Sequence, residues 1–231
     1  MHRSITNDEF TLYGYWQSSS THRVRCALNL KNIKYNKHIV SVINNDNNTD
    51  PEYIKINTMK SVPSLQHQYI DYNGIKHNNI ITQSVAIIEY LDEIQPDINP
   101  LLSVDPYTNS LIRTLVHIIA CDIQPLHNSR INQQITQLTS ASQALQFAQN
   151  AINRGLTAIE SILQRTSGVY CISNTLTMAD IYLVGCMGSA LRYNIDLLQY
   201  PICSRINAEL HTLDEFHEAH PFNQSDYMQQ S

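Results

Sequence analysis

Glycine is scarce here, with 6 residues in 231, and tryptophan occurs once. So little glycine excludes a collagen-like repeat, and the ordinary apolar and charged fractions exclude wholesale disorder and coiled coil. No long apolar run exists. Val85-Ala86-Ile87-Ile88 is among the best, far short of the ~20 residues a membrane helix needs. Basic excess is missing too: the formal charge is −5, which argues against a nucleic-acid partner. The five cysteines (Cys26, Cys121, Cys171, Cys186, Cys203) are odd in number, far apart and form no C-x-x-C pair. A disulfide scaffold and a structural zinc site therefore fit poorly, and reduced thiols in a cytoplasmic protein fit well. The first residues, Met1 to Asp8, lack the apolar core of a signal peptide, which again points to the cytosol.

What is present divides the chain in two. Phe10 to Trp16 is β-branched and aromatic and reads as a strand. Ser18-Ser19-Ser20-Thr21 follows, a cluster of helix-capping residues, before Val24, Ala27, Leu28 and Leu30 at helical spacing. Tyr35 to Val42 reads as a second strand and Asn44 to Asp50 as a loop, which completes a β-α-β unit. Val62-Pro63-Ser64-Leu65 opens another strand. His67 to Ile81 carries the hairpin pair Asn73-Gly74, and Gln83-Ser84 opens a helix. From Pro106 onward only helical periodicity remains, over Leu111–Ile119, Ala141–Ile162, Met178–Leu191 and Ile202–Phe216. Thr177-Met178-Ala179-Asp180 is a capping box ahead of the third of these. The expectation is an α/β domain over residues 8–95, a linker at Gln95–Pro100, and an all-α domain over residues 104–231.

Three places could carry chemistry. The serine cluster at a helix start either caps that helix or offers an anion site, since free N–H groups and a partial positive charge gather there. Gln83-Ser84 repeats the arrangement and could hold a carboxylate, or simply cap. Val62-Pro63 is open to a cis peptide bond, which would turn the Val62 backbone towards a peptide-like ligand. His217-Glu218-Ala219-His220 has metal-ligand residue types without a third ligand nearby, so it is better read as a helix end, with no metal expected.

These features, in this order, resemble the glutathione site of the cytosolic glutathione transferases, and within them the zeta class, the family of maleylacetoacetate isomerase. The signature S-S-C-S/A-W-R-V-R of that class stands here as Ser18-Ser19-Ser20-Thr21-His22-Arg23-Val24-Arg25. The likeness continues through Asn57–Pro63, Ile81–Leu91, Asp122–Asn128, Leu176–Asp180, Tyr200-Pro201 and Phe216–Asp226, nearly the whole chain. It implies a thioredoxin-like N-terminal domain, a helical C-terminal domain, a homodimer and glutathione as cofactor. The implied reaction is isomerisation of the dicarboxylate 4-maleylacetoacetate to 4-fumarylacetoacetate, in phenylalanine and tyrosine breakdown. By match to the family motifs, Ser18 faces the glutathione sulfur and Ser19 adds anion stabilisation. Ser20, Thr21, His22 and Arg23 belong to the same cofactor-binding segment, although His22 has no individual role. Val62 pairs with the cysteinyl backbone, Gln83 and Ser84 hold the γ-glutamyl end, and Gln124 and Asn128 approach from the helical domain. Arg23 and Arg192 are the substrate-side arginines, while Arg25 fits a structural role.

The motif cysteine is Ser20 here and the motif tryptophan is His22. A serine cannot act as a thiolate nucleophile, yet the isomerase chemistry survives if the sulfur belongs to glutathione. The alternatives are a broader transferase acting on α-haloacids or similar small electrophiles, and a non-catalytic glutathione-binding protein.

Overall fold

The computed structural model describes residue 5, residues 7–40 and residues 50–228. The chain forms two compact units, one of residues 1–100 with 214–231 and the other of residues 101–213. In the first, β1 (Glu9–Gly14), α1 (Ser19–Leu30) and β2 (Asn36–Ile39) make the expected β-α-β unit. There follow α2 (Pro51–Ile56), β3 (Ser64–Ile70), β4 (Lys76–Thr82) and α3 (Ser84–Ile94). The strands lie in the order β2-β1-β3-β4, with β1 and β2 parallel and the other pairs antiparallel, a thioredoxin-like mixed sheet.

Each element follows from its residues. Phe10 and Leu12 of β1 point into the core at alternate positions. Helix α1 is buried on almost every side and packs against α3. Its approach to β1 requires glycine at position 14, where a Cβ would lie 2.3 Å from Thr21 Cγ2. The β3–β4 turn is closed by Asp71, whose Oδ1 accepts the Asn73 and Ile75 N–H groups, with Gly74 at φ +79°. Helix α2 went unmarked in the sequence reading, although Asp50 caps it and Pro51 occupies its first turn. The expected loop from Asn44 lies, except for Asp50, outside the described residues, as does the expected strand end at Ser41-Val42.

The second unit is helical: α4 (Pro106–His117), a π-helical stretch (Ile118–Ile123), α5 (Gln124–His127), α6 (Ser129–Leu138), α7 (Ala141–Thr166), α8 (Met178–Arg192) and α9 (Pro201–Leu210). Helix α8 is the central one, with twelve of its residues buried. Its capping box forms as expected. Asp180 Oδ2 accepts the Thr177 N–H at 2.8 Å, while Oδ1 accepts Cys171 N–H. Glu160 of α7 likewise receives the N–H groups of Ile202 and Cys203 at the start of α9.

The single helix expected over Ile202–Phe216 is instead two. Helix α9 ends where Thr212 donates both its N–H and its hydroxyl to Glu209 O, and α10 (Asp214–Ala219) starts afresh with two acids in its first turn. The expected helical domain ran from 104 to 231, whereas the segment from Asp214 onward belongs to the first unit. Its polar groups are met there. Asn29 Nδ2 donates to Glu215 O, Arg25 Nε donates to Ala219 O, and Lys37 Nζ donates to Gln224 Oε1. Among the described residues no helix is long and apolar enough to cross a membrane.

Candidate active site

Strand register brings the three sequence motifs to one place. Tyr13 near the end of β1 pairs with Ser64 at the start of β3, and Ser64 pairs with Thr82 at the end of β4. With neighbouring strands about 4.8 Å apart, these three residues span about 10 Å across one end of the sheet. Ser18 follows β1 by four residues, Val62 precedes β3 by two, and Gln83-Ser84 directly follows β4. The N-termini of α1 and α3 therefore sit at the same sheet end, each presenting the positive end of its dipole.

Ser18 is the N-cap of α1. Its Oγ accepts the Thr21 N–H at 3.1 Å, and the hydroxyl proton remains to be donated. Capping and anion binding are thus compatible at this residue. Ser19 and Ser20 form the first helical positions and are half-buried, whereas Thr21, His22 and Arg23 are buried. The Thr21 hydroxyl oxygen is buried without a hydrogen-bond partner, against Gly14.

The Val62–Pro63 peptide bond is cis. The residues before it are pinned: Tyr53 Oη and Asn57 Nδ2 both donate to Ser61 O at 2.7 Å, and Tyr53 Oη bonds Ser64 Oγ at 2.9 Å. Val62 packs half-buried against Tyr13, Val40 and Tyr53. At the third motif, Ser84 does not cap α3. Gln83 occupies the cap position without a side-chain bond, at φ +71°, a conformation that residues with side chains rarely adopt. Ser84 is the first helical residue and is buried.

Gln124, Asn128 and Arg192 lie in the helical unit. Gln124 opens α5, Asn128 Oδ1 caps α6 by accepting Ile131 N–H, and Arg192 is exposed at the end of α8, donating to Ser189 Oγ at 3.1 Å. Arg23, expected beside the substrate, is only 2% exposed, so the structure places its guanidinium inside the fold. Arg25 has the structural role expected of it, donating to the carbonyls of Tyr15, Trp16 and Ala219. Burial lowers its proton affinity, and Cys26, Tyr35 and Asp226 pull it back up. The sequence reading gave no role to Asp226, whose carboxylate accepts the Trp16 N–H. The one signal for it was the agreement of Gln224-Ser225-Asp226 with the family pattern.

Residues 8–93 match the N-terminal domain of glutathione S-transferase, and residues 127–220 match its C-terminal domain. Maleylacetoacetate isomerase of Dictyostelium discoideum is 37% identical over 224 residues, covering 96% of this chain and 98% of that protein. The chain belongs to the maleylacetoacetate isomerase family, the zeta class of the glutathione transferases. A bacterial maleyl pyruvate isomerase of that class superposes with a TM-score of 0.82 at 31% identity, covering 94% of this chain and 99% of its own. Maleylacetoacetate isomerase from Anaeromyxobacter dehalogenans 2CP-1 also gives 0.82, at 29% identity over 95% of this chain and 98% of its own. That structure holds dicarboxyethyl glutathione and citrate in its active site. The zeta-class assignment accounts for the order of the three motifs along the chain.

Proposed function

We propose that the protein is a glutathione-dependent isomerase converting 4-maleylacetoacetate to 4-fumarylacetoacetate. The observation that carries this reading is the convergence of two helix N-termini, the Ser18 hydroxyl and the Val62–Pro63 bend at one end of the sheet. Glutathione fits such a place: it brings a thiol that must ionise, carboxylates that suit helix N-termini, and a peptide backbone. When bound, it supplies a thiolate that adds reversibly to the conjugated alkene, so that the C=C bond can rotate before the sulfur leaves again.

This chain's residues would lower the thiol pKa and hold both partners. The Ser18 hydroxyl donates to the sulfur, and the Ser19 end of α1 adds its dipole. Val62 offers backbone hydrogen bonds to the cysteinyl unit. Gln83, Ser84 and the N-terminus of α3 take the γ-glutamyl carboxylate. The helical unit would contribute Gln124 and Asn128 as polar ligands and Arg192 as the cation for a substrate carboxylate. Ser20 has no thiol, and none is required of it because the nucleophile is the cofactor's. The protein would work as a homodimer in the cytosol, by likeness to its family.

The test is isomerisation of maleylacetone by the purified protein, with and without glutathione. Activity strictly dependent on glutathione is the expected result. Turnover of α-haloacids with none of maleylacetone would replace this reading by a broader transferase, and glutathione binding without turnover of either by a binding protein.

A further inference from the structure

The turn that leads from β1 into α1 is held from both sides by charged side chains. Ser18 N–H donates to Tyr15 O at 3.3 Å, which closes the turn. On one side Arg25, from α1 itself, donates Nη2 to Trp16 O at 3.1 Å and Nη1 to Tyr15 O at 3.5 Å. On the other, Asp226 Oδ2 accepts the Trp16 N–H at 2.7 Å. The short distance to a carboxylate oxygen marks a strong hydrogen bond.

Apolar contacts enclose the same turn. The Trp16 ring lies 4.8 Å from that of Tyr227 and 6.0 Å from that of Phe222, and these two rings lie 5.0 Å apart. The segment presenting Asp226 is itself fixed. The buried Gln224 side chain donates to Glu218 O and His220 O while accepting from Lys37 of β2. Arg25 Nε ties the same segment to α1 through Ala219 O.

We propose that Asp226 is a positioning residue for the glutathione thiolate. By fixing the Trp16 amide it sets the turn whose fourth residue, Ser18, carries the sulfur-facing hydroxyl. This rests on the roles given above to Ser18 and Ser19. Asp226 touches neither cofactor nor substrate; it acts through the backbone of residues 15–18. A tenth of an ångström matters little to folding, but proton donation to a sulfur depends steeply on distance and angle.

Trp16 is the only tryptophan, so its fluorescence reports on this turn directly. The experiment compares wild type, Asp226→Ala and Asp226→Asn by three readouts: Trp16 emission, ionisation of bound glutathione followed by thiolate ultraviolet absorption against pH, and maleylacetone turnover. In Asp226→Ala the emission should move to the red. The thiol pKa should rise by about one unit and kcat fall roughly tenfold, with KM for maleylacetone little changed. Asp226→Asn keeps an acceptor oxygen for the Trp16 amide and should lie within about threefold of wild type. Should Asp226→Ala fail to melt cooperatively, Asp226→Ser takes its place, its hydroxyl too short to reach that amide.

A wild-type thiol pKa in Asp226→Ala overturns the proposal, whether or not the emission has moved. So does an Asp226→Asn variant as impaired as Asp226→Ala, since the hydrogen bond would then not be the cause. A wild-type protein that gives no thiolate signal with glutathione overturns the functional reading itself. Failure of the positioning role alone leaves that wild-type signal intact.

Discussion

The Ser18 hydroxyl oxygen accepts the backbone N–H of Thr21 at 3.1 Å, so the residue assigned to the glutathione sulfur also closes the first turn of α1. Its two duties can be separated by substitution. Ser18→Ala loses both, and should cost about 1 kcal/mol of stability and at least roughly tenfold in isomerase rate. Ser18→Asp keeps a good cap at a helix N-terminus, so its melting temperature should stay near wild type. Its carboxylate would oppose a neighbouring thiolate, and activity should fall as far as in Ser18→Ala or further. Loss of stability in Ser18→Ala alone, with activity retained in both variants, would reduce Ser18 to a cap.

Gln83 holds φ +71° with no capping bond from its side chain. Such a conformation costs about 1–3 kcal/mol in a residue with a Cβ. Gln83→Gly removes that strain but adds freedom to the unfolded chain, so stability should hold or rise by up to about 1 kcal/mol. Glutathione affinity should nevertheless drop, by roughly tenfold, if the side chain binds the γ-glutamyl end. Calorimetric titration with glutathione, beside chemical denaturation, checks both halves. Unchanged affinity would remove Gln83 from the site.

Thiol reactivity should be confined to one cysteine. Cys26, Cys171, Cys186 and Cys203 are buried, whereas Cys121 is exposed, with its sulfur 3.7 Å from His117 Nδ1. Burial pushes the Cys26 thiol up to about 12, and it raises Cys171 and Cys203 as well, with help from Asp180 and Glu160 respectively. Native protein treated with iodoacetamide should therefore lose one thiol quickly, and Cys121→Ser should abolish that phase. Rapid loss of a second thiol from native protein would contradict the burial.

Lys31 is buried, and its ammonium donates to Asp92, Gln95 O and Ile98 O, joining the end of α1 to the end of α3 and the residues beyond it. Burial lowers its proton affinity and Asp92 restrains the fall. Asp92→Ala leaves the charge without its carboxylate and should cost about 3 kcal/mol at neutral pH. The Lys31 pKa would then drop further. Between the native and unfolded values the folded state binds fewer protons, so stability should climb as pH rises through that alkaline window. Urea denaturation from pH 7 to 10 measures the slope. A variant whose stability is flat or falls with pH would show that burial does not disfavour the Lys31 cation.

What the sequence made legible was local. Alternation marked β1, the capping box marked α8, and Asn73-Gly74 marked the β3–β4 turn, because each depends on residues within one or two turns of chain. The serine cluster was placed correctly at a helix start. Its convergence with Val62 and Gln83 could not be read from spacing, because it follows from strand register. The positive φ of Gln83 has no local mark, since glutamine is not a turn former. The assignment of residues 214–228 was missed because their helical periodicity matches that of the preceding helices. Only distant hydrogen bonds, from Arg25, Asn29 and Lys37, decide which unit they join.

The bond from Trp16 to Asp226 spans 210 positions. During synthesis the first hundred residues leave the ribosome long before their closing segment does. The turn carrying Ser18 thus has the hold of Arg25 early and that of Asp226 only after residue 226 is made. A chain cut before residue 226 would leave that turn held by Arg25 alone.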